Sequence, residues 1–382
     1  MSKLVTWSFP TRVVFGAGAI RTIGEEARRL DAVRALVVTD KGVVKAGLHE
    51  PVIAGLKAAG VEAEVFDDVL PNPIEKNVHD GVAAFRAARA ELVVALGGGS
   101  PLDTGKLIRL GINHHRPLVE YDDATGGDRF ITSDVPPMIA VPTTAGTGSE
   151  VGRSGVVTLD VNHRKTVIFS PHLLAEVALL DPEMTRGLPP FLTAATGFDA
   201  LTHCLEAYVS KGDHPMADGI ALEGIRLVAD HLERAVKHGD DLEARGGMMK
   251  AAMMGAVAFQ KGLGASHSLA HPLSSEHDLH HGLANALCLP AVIEFNLEAA
   301  SDRLARVAAL LGAHADAGAC AGAVRALRDR VGLPGGLEKA GVPRDSLDKL
   351  ADLAAQDACH TCNPRPCTRD DLRRLYEASF TG

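Results

Sequence analysis

The chain has 382 residues, enough for two compact domains, and its 46% hydrophobic and 23% charged residues are typical of a globular protein. Its 48 acidic residues outnumber 39 basic ones, and the formal net charge of −9 argues against a nucleic-acid-binding protein. The sequence lacks a signal-peptide-like N-terminus, a stretch near the roughly 20 apolar residues of a membrane span, and the dense cysteines of a disulfide framework. We therefore expect a cytoplasmic protein with reduced thiols and no membrane or nucleic-acid partner.

The first half of the chain alternates short β-branched runs with helical segments. Strands are predicted at 35–40, 63–68, 92–99 and 138–144, and helices at 46–60 and 78–90. This alternation predicts an α/β domain with a parallel sheet and helices on both faces. Ligands of such sheets bind beyond the carboxyl ends of the strands.

Long Ala- and Leu-rich helical segments replace the strands from about residue 187. Examples are residues 220–232, 248–259 and 304–314. The sequence therefore predicts an α/β domain over residues 1–187 and an all-α domain over residues 188–382.

Two loops that follow predicted strands are candidates for holding a cofactor. GGGSPLD at 97–103 opens a predicted helix, so its backbone N–H groups and the helix dipole suit a pyrophosphate. Its spacing is neither that of a Rossmann GxGxxG nor that of a Walker A loop, and a triple glycine also serves as a plain tight turn. TTAGTGS at 143–149 either lines a cofactor with its hydroxyls or is a plain loop. FGAGA at 15–19 is predicted to be a structural turn, because Arg21 occupies the position of the third glycine.

Asp40 ends the predicted strand at 35–40. If this half of the chain binds a dinucleotide, a carboxylate here accepts hydrogen bonds from the ribose hydroxyls and favours NAD over NADP. The alternative is a solvated turn residue.

One aspartate and several histidines have metal-ligand spacing in the helical half. Asp199 and His203 are four residues apart, so on a helix both point to one face. His267 and His271 repeat this offset, and His281 follows. Three neutral imidazoles and one carboxylate suit a divalent ion of borderline softness, iron(II) or zinc, with one position open to substrate. We predict a metal site formed by Asp199, His203, His267 and His281.

Two further features bear on metal binding. Pro272 is expected to interrupt the helix that carries His267, so that a loop returns His281 to the same centre. Cys359, His360, Cys362 and Cys367 have the residue types of a second, thiolate-rich site. The sequence has no second cysteine-rich motif that would complete a zinc site with them, so no site is assigned there.

Taken together, these motifs resemble those of the iron-containing (group III) alcohol dehydrogenase family over nearly the whole chain. The resemblance rests on FGAGA, VTDKG, Asn72-Pro73, GGGSPLDTGK, VPTTAGTGSE, LLDPEMT, GFDALTHCLEAYVS, HSLAHPL, HHGLANALCLP and Asn363-Pro364-Arg365. It implies an N-terminal dinucleotide-binding domain, a helical metal-binding domain and an active site in the cleft between them. It also implies hydride transfer between NAD and an alcohol or aldehyde, and frequent assembly as a homodimer.

The resemblance carries over to individual residues. It assigns metal binding to Asp199, His203, His267 and His281, and a proton-relay role to His271. It places the cofactor near Asp40, Asn72, Gly98, Gly99, Ser100, Asp103, Thr143, Thr144, Thr147 and Lys165.

Two basic residues depart from the usual family pattern in segments that border the cleft there. Lys261 stands where a small residue is common, and Arg153 lies in a segment that is more often uncharged. Two cations would hold an anionic group of the substrate; alternatively, one or both face solvent or a cofactor phosphate. Together with QKGLG, HSLAHPL and DxCHxxNP, they resemble the 4-hydroxybutyrate dehydrogenase branch.

The sequence therefore predicts oxidation of a short ω-hydroxy carboxylate to its semialdehyde, or the reverse reaction. The same chemistry on an uncharged diol, lactaldehyde or simple alcohol is the first alternative. A lyase of the dehydroquinate synthase type is the second.

Overall fold

The computed structural model describes residue 9 and residues 11–161 and 164–381. These residues form two compact units. The N-terminal unit comprises residues 11–144 and 148–187, and the C-terminal unit comprises residues 9, 145–147 and 188–381. Apart from the two short segments at 9 and 145–147, the units divide after Gly187.

The N-terminal unit is built on a six-stranded parallel sheet with strand order β1-β8-β5-β4-β2-β3, and β6 and β7 form a separate antiparallel pair. The strands are β1 (Arg12–Phe15), β2 (Arg34–Val38), β3 (Glu62–Phe66), β4 (Leu92–Gly97), β5 (Met138–Pro142), β6 (Ser154–Thr158), β7 (Lys165–Phe169) and β8 (Val177–Leu180). The helices of this unit are α1 (Ile23–Arg29), α2 (Lys41–Lys45), α3 (His49–Ala58), α4 (Glu75–Ala87) and α5 (Gly99–Asn113).

Helices cover both faces of this sheet, as the sequence predicts. Val37 and Val94 point into a core shared with α1 and α3. Leu36 and Val93 point into the opposite core, which is shared with α4 and α5. Because β4 is buried on both sides, its sequence LVVALG is apolar throughout rather than alternating.

The order of the strands reverses between β2 and β4. The chain runs from β2 to β3 on one side and then returns past β2 to β4 on the other. Such a reversal opens a crevice at the carboxyl ends of the two strands, where α/β sheets bind ligands. Asp40 and the triple glycine at 97–99 follow these two strands.

The C-terminal unit is helical, as predicted. Its helices are α6 (Pro190–Val209), α7 (Pro215–Lys237), α8 (Leu242–Ala258), α9 (Ala265–His277), α10 (His281–Phe295), α11 (Ser301–Leu310), α12 (Cys320–Arg330), α13 (Leu347–Ala354) and α14 (Arg369–Ala378). Helix α6 is buried from Thr193 to its last residue and packs against α7, α8 and α10. No helix among the described residues is both long and apolar enough to cross a membrane.

The expectation that Pro272 interrupts its helix is wrong. Helix α9 continues through Pro272 to its last residue, His277, and its C-cap is Asp278, whose φ of 51° is left-handed. A proline inside a helix removes one backbone hydrogen bond without necessarily ending it. The three-residue segment 278–280 then leads directly to His281, the first residue of α10.

Candidate active site

Three helices of the C-terminal unit bring the four predicted metal ligands together. Asp199 and His203 lie one turn apart on α6, His267 lies on α9, and His281 begins α10. Oδ1 of Asp199 lies 3.9 Å from Nε2 of both His203 and His267 and 3.4 Å from Nε2 of His281. Tetrahedral ligands about 2.0–2.2 Å from a divalent ion are about 3.3–3.6 Å apart. Asp199, His203 and His267 each offer one donor atom, and these three atoms lie within 4.8 Å of one another, so they can converge on one ion. His281 adjoins this group through its 3.4 Å contact with Asp199.

The protonation states of these side chains also suit a cation. Burial lowers the pKa of His203 to about 4 and holds that of His281 well below its usual value, so both imidazoles are neutral near pH 7. Burial opposes ionisation of Asp199, but charge on the neighbouring imidazoles and the Asn285 amide outweigh it and lower the pKa of Asp199 to about 2. His203 and His281 thus offer neutral nitrogen lone pairs beside a carboxylate.

Two buried residues that the sequence analysis did not single out hold the ligands in place. Oε2 of Glu206 lies 2.6 Å from Nδ1 of His267, and the same carboxylate accepts the backbone N–H groups of Gly264 and Ser266 at the start of α9. The Glu206 contact commits Nδ1 of His267, which leaves Nε2 for a metal. The Asn285 amide donates to Oδ1 of Asp199 at 3.0 Å. Such outer contacts orient metal ligands and tune their affinity.

Gly282 allows His281 to reach the cluster. A Cβ at this position would lie 2.0 Å from the carbonyl oxygen of Ala195 and 3.2 Å from Cβ of Asp199. Only a glycine lets the start of α10 approach α6 this closely. The position of His281 therefore depends on the glycine that follows it.

His271 lies beside the metal ligands but has a different partner. Its ring stacks on that of His281 with centroids 5.3 Å apart. Its Nδ1 lies 2.7 Å from Oδ2 of Asp357, whose other oxygen accepts from the Ser268 hydroxyl and the Cys359 backbone N–H. Burial of Asp357 is outweighed by its hydrogen bond to His271 and the charge of that ring, which hold the pKa of Asp357 well below its usual range.

The predicted cofactor loops lie at the carboxyl edge of the sheet in the N-terminal unit. Gly98 is the N-cap of α5 and has no side-chain cap, so the first N–H groups of this 15-residue helix point out of its end. A Cβ at Gly98 would lie 3.3 Å from Cγ2 of Thr144. The N–H of Thr143 donates to the carbonyl of Gly97 at 2.9 Å, which joins the two loops. The two loops predicted to hold a cofactor are therefore neighbours.

The remaining cofactor candidates of this unit differ in their surroundings. Asp40 caps α2 by accepting from the N–H of Val43 at 2.9 Å. The Ser100 hydroxyl donates to the carbonyl of Pro71 at 2.6 Å, next to the exposed Asn72. Lys165 begins β7, on the separate strand pair.

Two further predicted cofactor residues, Asp103 and Thr147, have other surroundings. Asp103 accepts from the Ser149 hydroxyl at 2.5 Å and the Val156 N–H at 3.2 Å, which ties α5 to the following segments. Thr147 belongs to the segment 145–147 of the C-terminal unit, where Gly146 lies against Thr196 of α6.

Both halves of the chain match family models of one enzyme class. Residues 10–182 match the model described as iron-containing alcohol dehydrogenase, and residues 193–380 match the C-terminal model of the Fe-containing alcohol dehydrogenase family. The chain belongs to the iron-containing alcohol dehydrogenase family. The match in both halves favours hydride transfer over the lyase alternative.

Three relatives of this iron-containing alcohol dehydrogenase cover nearly the whole chain. The 4-hydroxybutyrate dehydrogenase of Cupriavidus necator is 43% identical over 97% of this chain and 98% of its own. A crystal structure of 1,3-propanediol oxidoreductase is 38% identical, with a TM-score of 0.95 over 99% of this chain and 100% of its own. The sulfoacetaldehyde reductase of Bifidobacterium kashiwanohense, solved in complex with NAD⁺, is 31% identical, with a TM-score of 0.90 over 99% of both chains.

The two basic residues predicted to bind an anionic substrate have unlike surroundings. Arg153 is half-buried, its guanidinium lies 5.2 Å from the centre of the Phe169 ring, and it makes no ion pair within the described part of the chain. Lys261 is different: its side chain is 0% exposed, and its ammonium donates to the Tyr208 carbonyl and to Oδ1 of Asp218. This ion pair accounts for Lys261 without a substrate, whereas Arg153 keeps its charge available.

Proposed function

We propose that this iron-containing alcohol dehydrogenase interconverts a short ω-hydroxy carboxylate, of the 4-hydroxybutyrate class, and its semialdehyde, with NAD as the hydride carrier. Conversion of an uncharged diol by the same residues is the second candidate. The observation that carries the first is the half-buried guanidinium of Arg153, which has no carboxylate partner among the described residues.

Asp199, His203, His267 and His281 would hold the divalent ion, iron(II) or zinc. A bound ion of this kind supplies Lewis acidity that polarises a carbonyl or lowers the pKa of an alcohol. Glu206 keeps His267 in the tautomer whose Nε2 faces the cluster. Asp199, His203 and His267 are buried, which excludes water around them and strengthens the electrostatic interactions there.

His271 would handle the alcohol proton. Its Nδ1–H donates to Asp357, so Nε2 is left as an acceptor. The side chain is 35% exposed, which gives the proton a route to solvent. An imidazole is suited to such transfer near neutral pH.

The loops at the carboxyl edge of the sheet would bind the dinucleotide. The uncapped start of α5 suits the pyrophosphate. Asp40 uses one carboxylate oxygen as a helix cap and offers the other to the adenosine ribose. The nicotinamide carries the hydride, and the protein orients it.

The name of the Cupriavidus relative supports a hydroxy-acid substrate, and that of the propanediol oxidoreductase supports an uncharged diol. Arg153 would favour the hydroxy acid over the diol, because a guanidinium forms charge-assisted hydrogen bonds with a carboxylate and none of comparable strength with an alcohol. We also propose that the protein is a homodimer, because dimers are frequent in the family it resembles, and that it is cytoplasmic.

The decisive experiment compares 4-hydroxybutyrate with 1,4-butanediol in the iron-loaded enzyme. Steady-state NADH formation is measured for the wild type, for Arg153→Met and for Arg374→Met, in which a side chain that is 76% exposed loses the same charge. We expect Arg153→Met to lower kcat/KM for the acid by about tenfold or more, about 1.4 kcal/mol of transition-state binding. Its kcat/KM for the diol should stay within about twofold of the wild type.

Equal loss on both substrates would mean that Arg153 does not recognise the carboxylate. A wild type that prefers the diol would overturn the hydroxy-acid proposal and favour the second candidate. Arg374→Met should leave kcat/KM unchanged for both 4-hydroxybutyrate and 1,4-butanediol.

A further inference from the structure

A second group of metal-binding side chains lies next to the one already described. His271, Asp357 and Cys359 each offer one ligand atom, and these three atoms lie within 4.8 Å of one another. All three residues are half-buried, so the cluster is open to solvent on one side. This cluster differs from the thiolate-rich set considered in the sequence, because Cys359 lies with a histidine and an aspartate rather than with Cys362 and Cys367.

We propose that His271, Asp357 and Cys359 form a second, inhibitory site for a thiophilic divalent cation of the zinc class. The ligand types are those of zinc: a thiolate, an imidazole and a carboxylate, with water in the fourth position. A thiolate favours zinc over iron(II), magnesium or calcium, whereas the all-nitrogen and oxygen set at Asp199 accepts either iron or zinc. The two sites therefore have different selectivity.

The cluster needs little rearrangement to take an ion. Nδ1 of His271 lies 2.7 Å from Oδ2 of Asp357, and tetrahedral ligands are about 3.3–3.8 Å apart. The pair must therefore open by roughly half an ångström to one ångström. The Ser268 hydroxyl and the Cys359 N–H hold the other oxygen of Asp357, so the carboxylate is already oriented.

Cation binding at this site would change the protonation of Cys359 and His271, and the change at His271 would stop turnover. Without the cation, burial and the nearby Asp357 carboxylate raise the pKa of the Cys359 thiol, which is therefore protonated. Binding releases that proton to solvent. It also places the cation on Nδ1 of His271, so the proton of the neutral imidazole must move to Nε2. His271 then has no lone pair with which to accept the alcohol proton.

The inhibition rests on the proposed role of His271, whereas cation binding does not. The first measurement is therefore a spectrum rather than an activity. The iron-loaded enzyme is titrated with Co²⁺, and the near-ultraviolet sulfur-to-cobalt charge-transfer band is recorded. The ligand set around Asp199 contains no thiolate, so this band reports a cysteine-containing site other than that one, and the cysteine variants identify which thiol is bound.

Cys359→Ser is the test variant and Cys367→Ser the matched control. Cys367 is also a half-buried free thiol of the same segment, but its Sγ faces the Arg365 carbonyl at 3.5 Å. We expect the band in the wild type and in Cys367→Ser, and its loss in Cys359→Ser. Loss of a direct ligand should weaken Co²⁺ or Zn²⁺ binding by more than the about 10–100-fold typical of outer-contact mutations. A band that persists in Cys359→Ser, or that never forms in the wild type, would overturn the site.

The second measurement is inhibition of NADH formation by Zn²⁺, with iron content determined in the same samples. We expect the wild type and Cys367→Ser to lose activity while retaining iron, and Cys359→Ser to resist inhibition when its rate with Zn²⁺ is compared with its own rate without Zn²⁺. Inhibition that tracks loss of iron, or that is equal in Cys359→Ser, would contradict the inhibitory role. If the cobalt band forms without inhibition, the site stands and the proposed role of His271 fails.

Discussion

Oε2 of Glu206 lies 2.6 Å from Nδ1 of His267, and both side chains are almost fully buried. Glu206 is one turn beyond His203 on α6, so a single helix supplies two candidate metal ligands and the carboxylate that orients a third. Burial lowers the pKa of His267, but the hydrogen bond and charge of Glu206 outweigh it and raise that pKa. A metal at Nε2 of His267 must therefore compete with a proton, and the tautomer is set by Glu206.

Glu206→Gln should weaken metal binding. The amide keeps the shape but loses the charge that stabilises His267, and outer contacts of this kind contribute about 10–100-fold in metal affinity. Competition with a chromophoric chelator measures the iron or zinc affinity directly. Glu298→Gln, at an exposed position, is the control. An unchanged affinity in Glu206→Gln would limit Glu206 to capping the start of α9.

Gly282→Ala should release His281 from the cluster. The new Cβ would meet the Ala195 carbonyl at 2.0 Å, so α10 must move away from α6. Overpacking of this kind costs about 1–3 kcal/mol, and we expect metal content to fall with it. The control is Gly322→Ala in α12, where nothing lies within 4 Å of the new Cβ and an alanine should stabilise the helix by about 0.5–1 kcal/mol. Thermal melting and metal analysis of both variants test the difference.

The pairing of Asp199 with His203 among the candidate metal ligands could be predicted because its signal is local. Asp199 and His203 are four residues apart, and four apart on a helix means one face. Glu206 and Asp357 were not predicted, because their partners lie 61 and 86 residues away and only the packing of α6, α9 and the C-terminal segment brings them together.

The same reasoning explains the fold predictions. The central strands β2, β4 and β5 are continuous apolar runs and were predicted, whereas the short edge strand β1, the strand β8 and the β6–β7 pair were not. The pair alternates between buried and half-buried or exposed residues over only five positions in each strand. Lys261 shows most clearly what the sequence could not predict. Its sequence neighbours suggest a substrate pocket, whereas its ion-pair partner Asp218 lies on α7, 43 residues earlier, and is brought to it only by the packing of the helices.

Asp218→Ala should destabilise the protein more than Lys261→Met. Removing Asp218 leaves a buried ammonium beside the Tyr208 carbonyl, which costs about 3 kcal/mol or more, whereas Lys261→Met removes the charge itself. Urea unfolding midpoints of the two single variants and the double variant measure this difference. Neither folded variant should change the preference between 4-hydroxybutyrate and 1,4-butanediol. Loss of acid preference in folded Lys261→Met would return Lys261 to the substrate site.

Glu150→Gln should reduce the pH dependence of stability. Burial raises the pKa of Glu150 to about 7 from its usual value of 4.5. Between these values the folded protein binds more protons than the unfolded chain, so wild-type stability falls as pH rises through this window. The shift corresponds to about 3 kcal/mol at most.

A glutamine is neutral at every pH, so Glu150→Gln should match the wild type near pH 5 and exceed it near pH 8. Urea midpoints measured from pH 5 to 8 give the difference curve, with Glu298→Gln as the exposed control. Parallel curves for Glu150→Gln and the wild type would mean that Glu150 ionises in the folded protein as it does in the unfolded chain. In that case its buried carboxylate would have to be stabilised by Lys106, which is also fully buried.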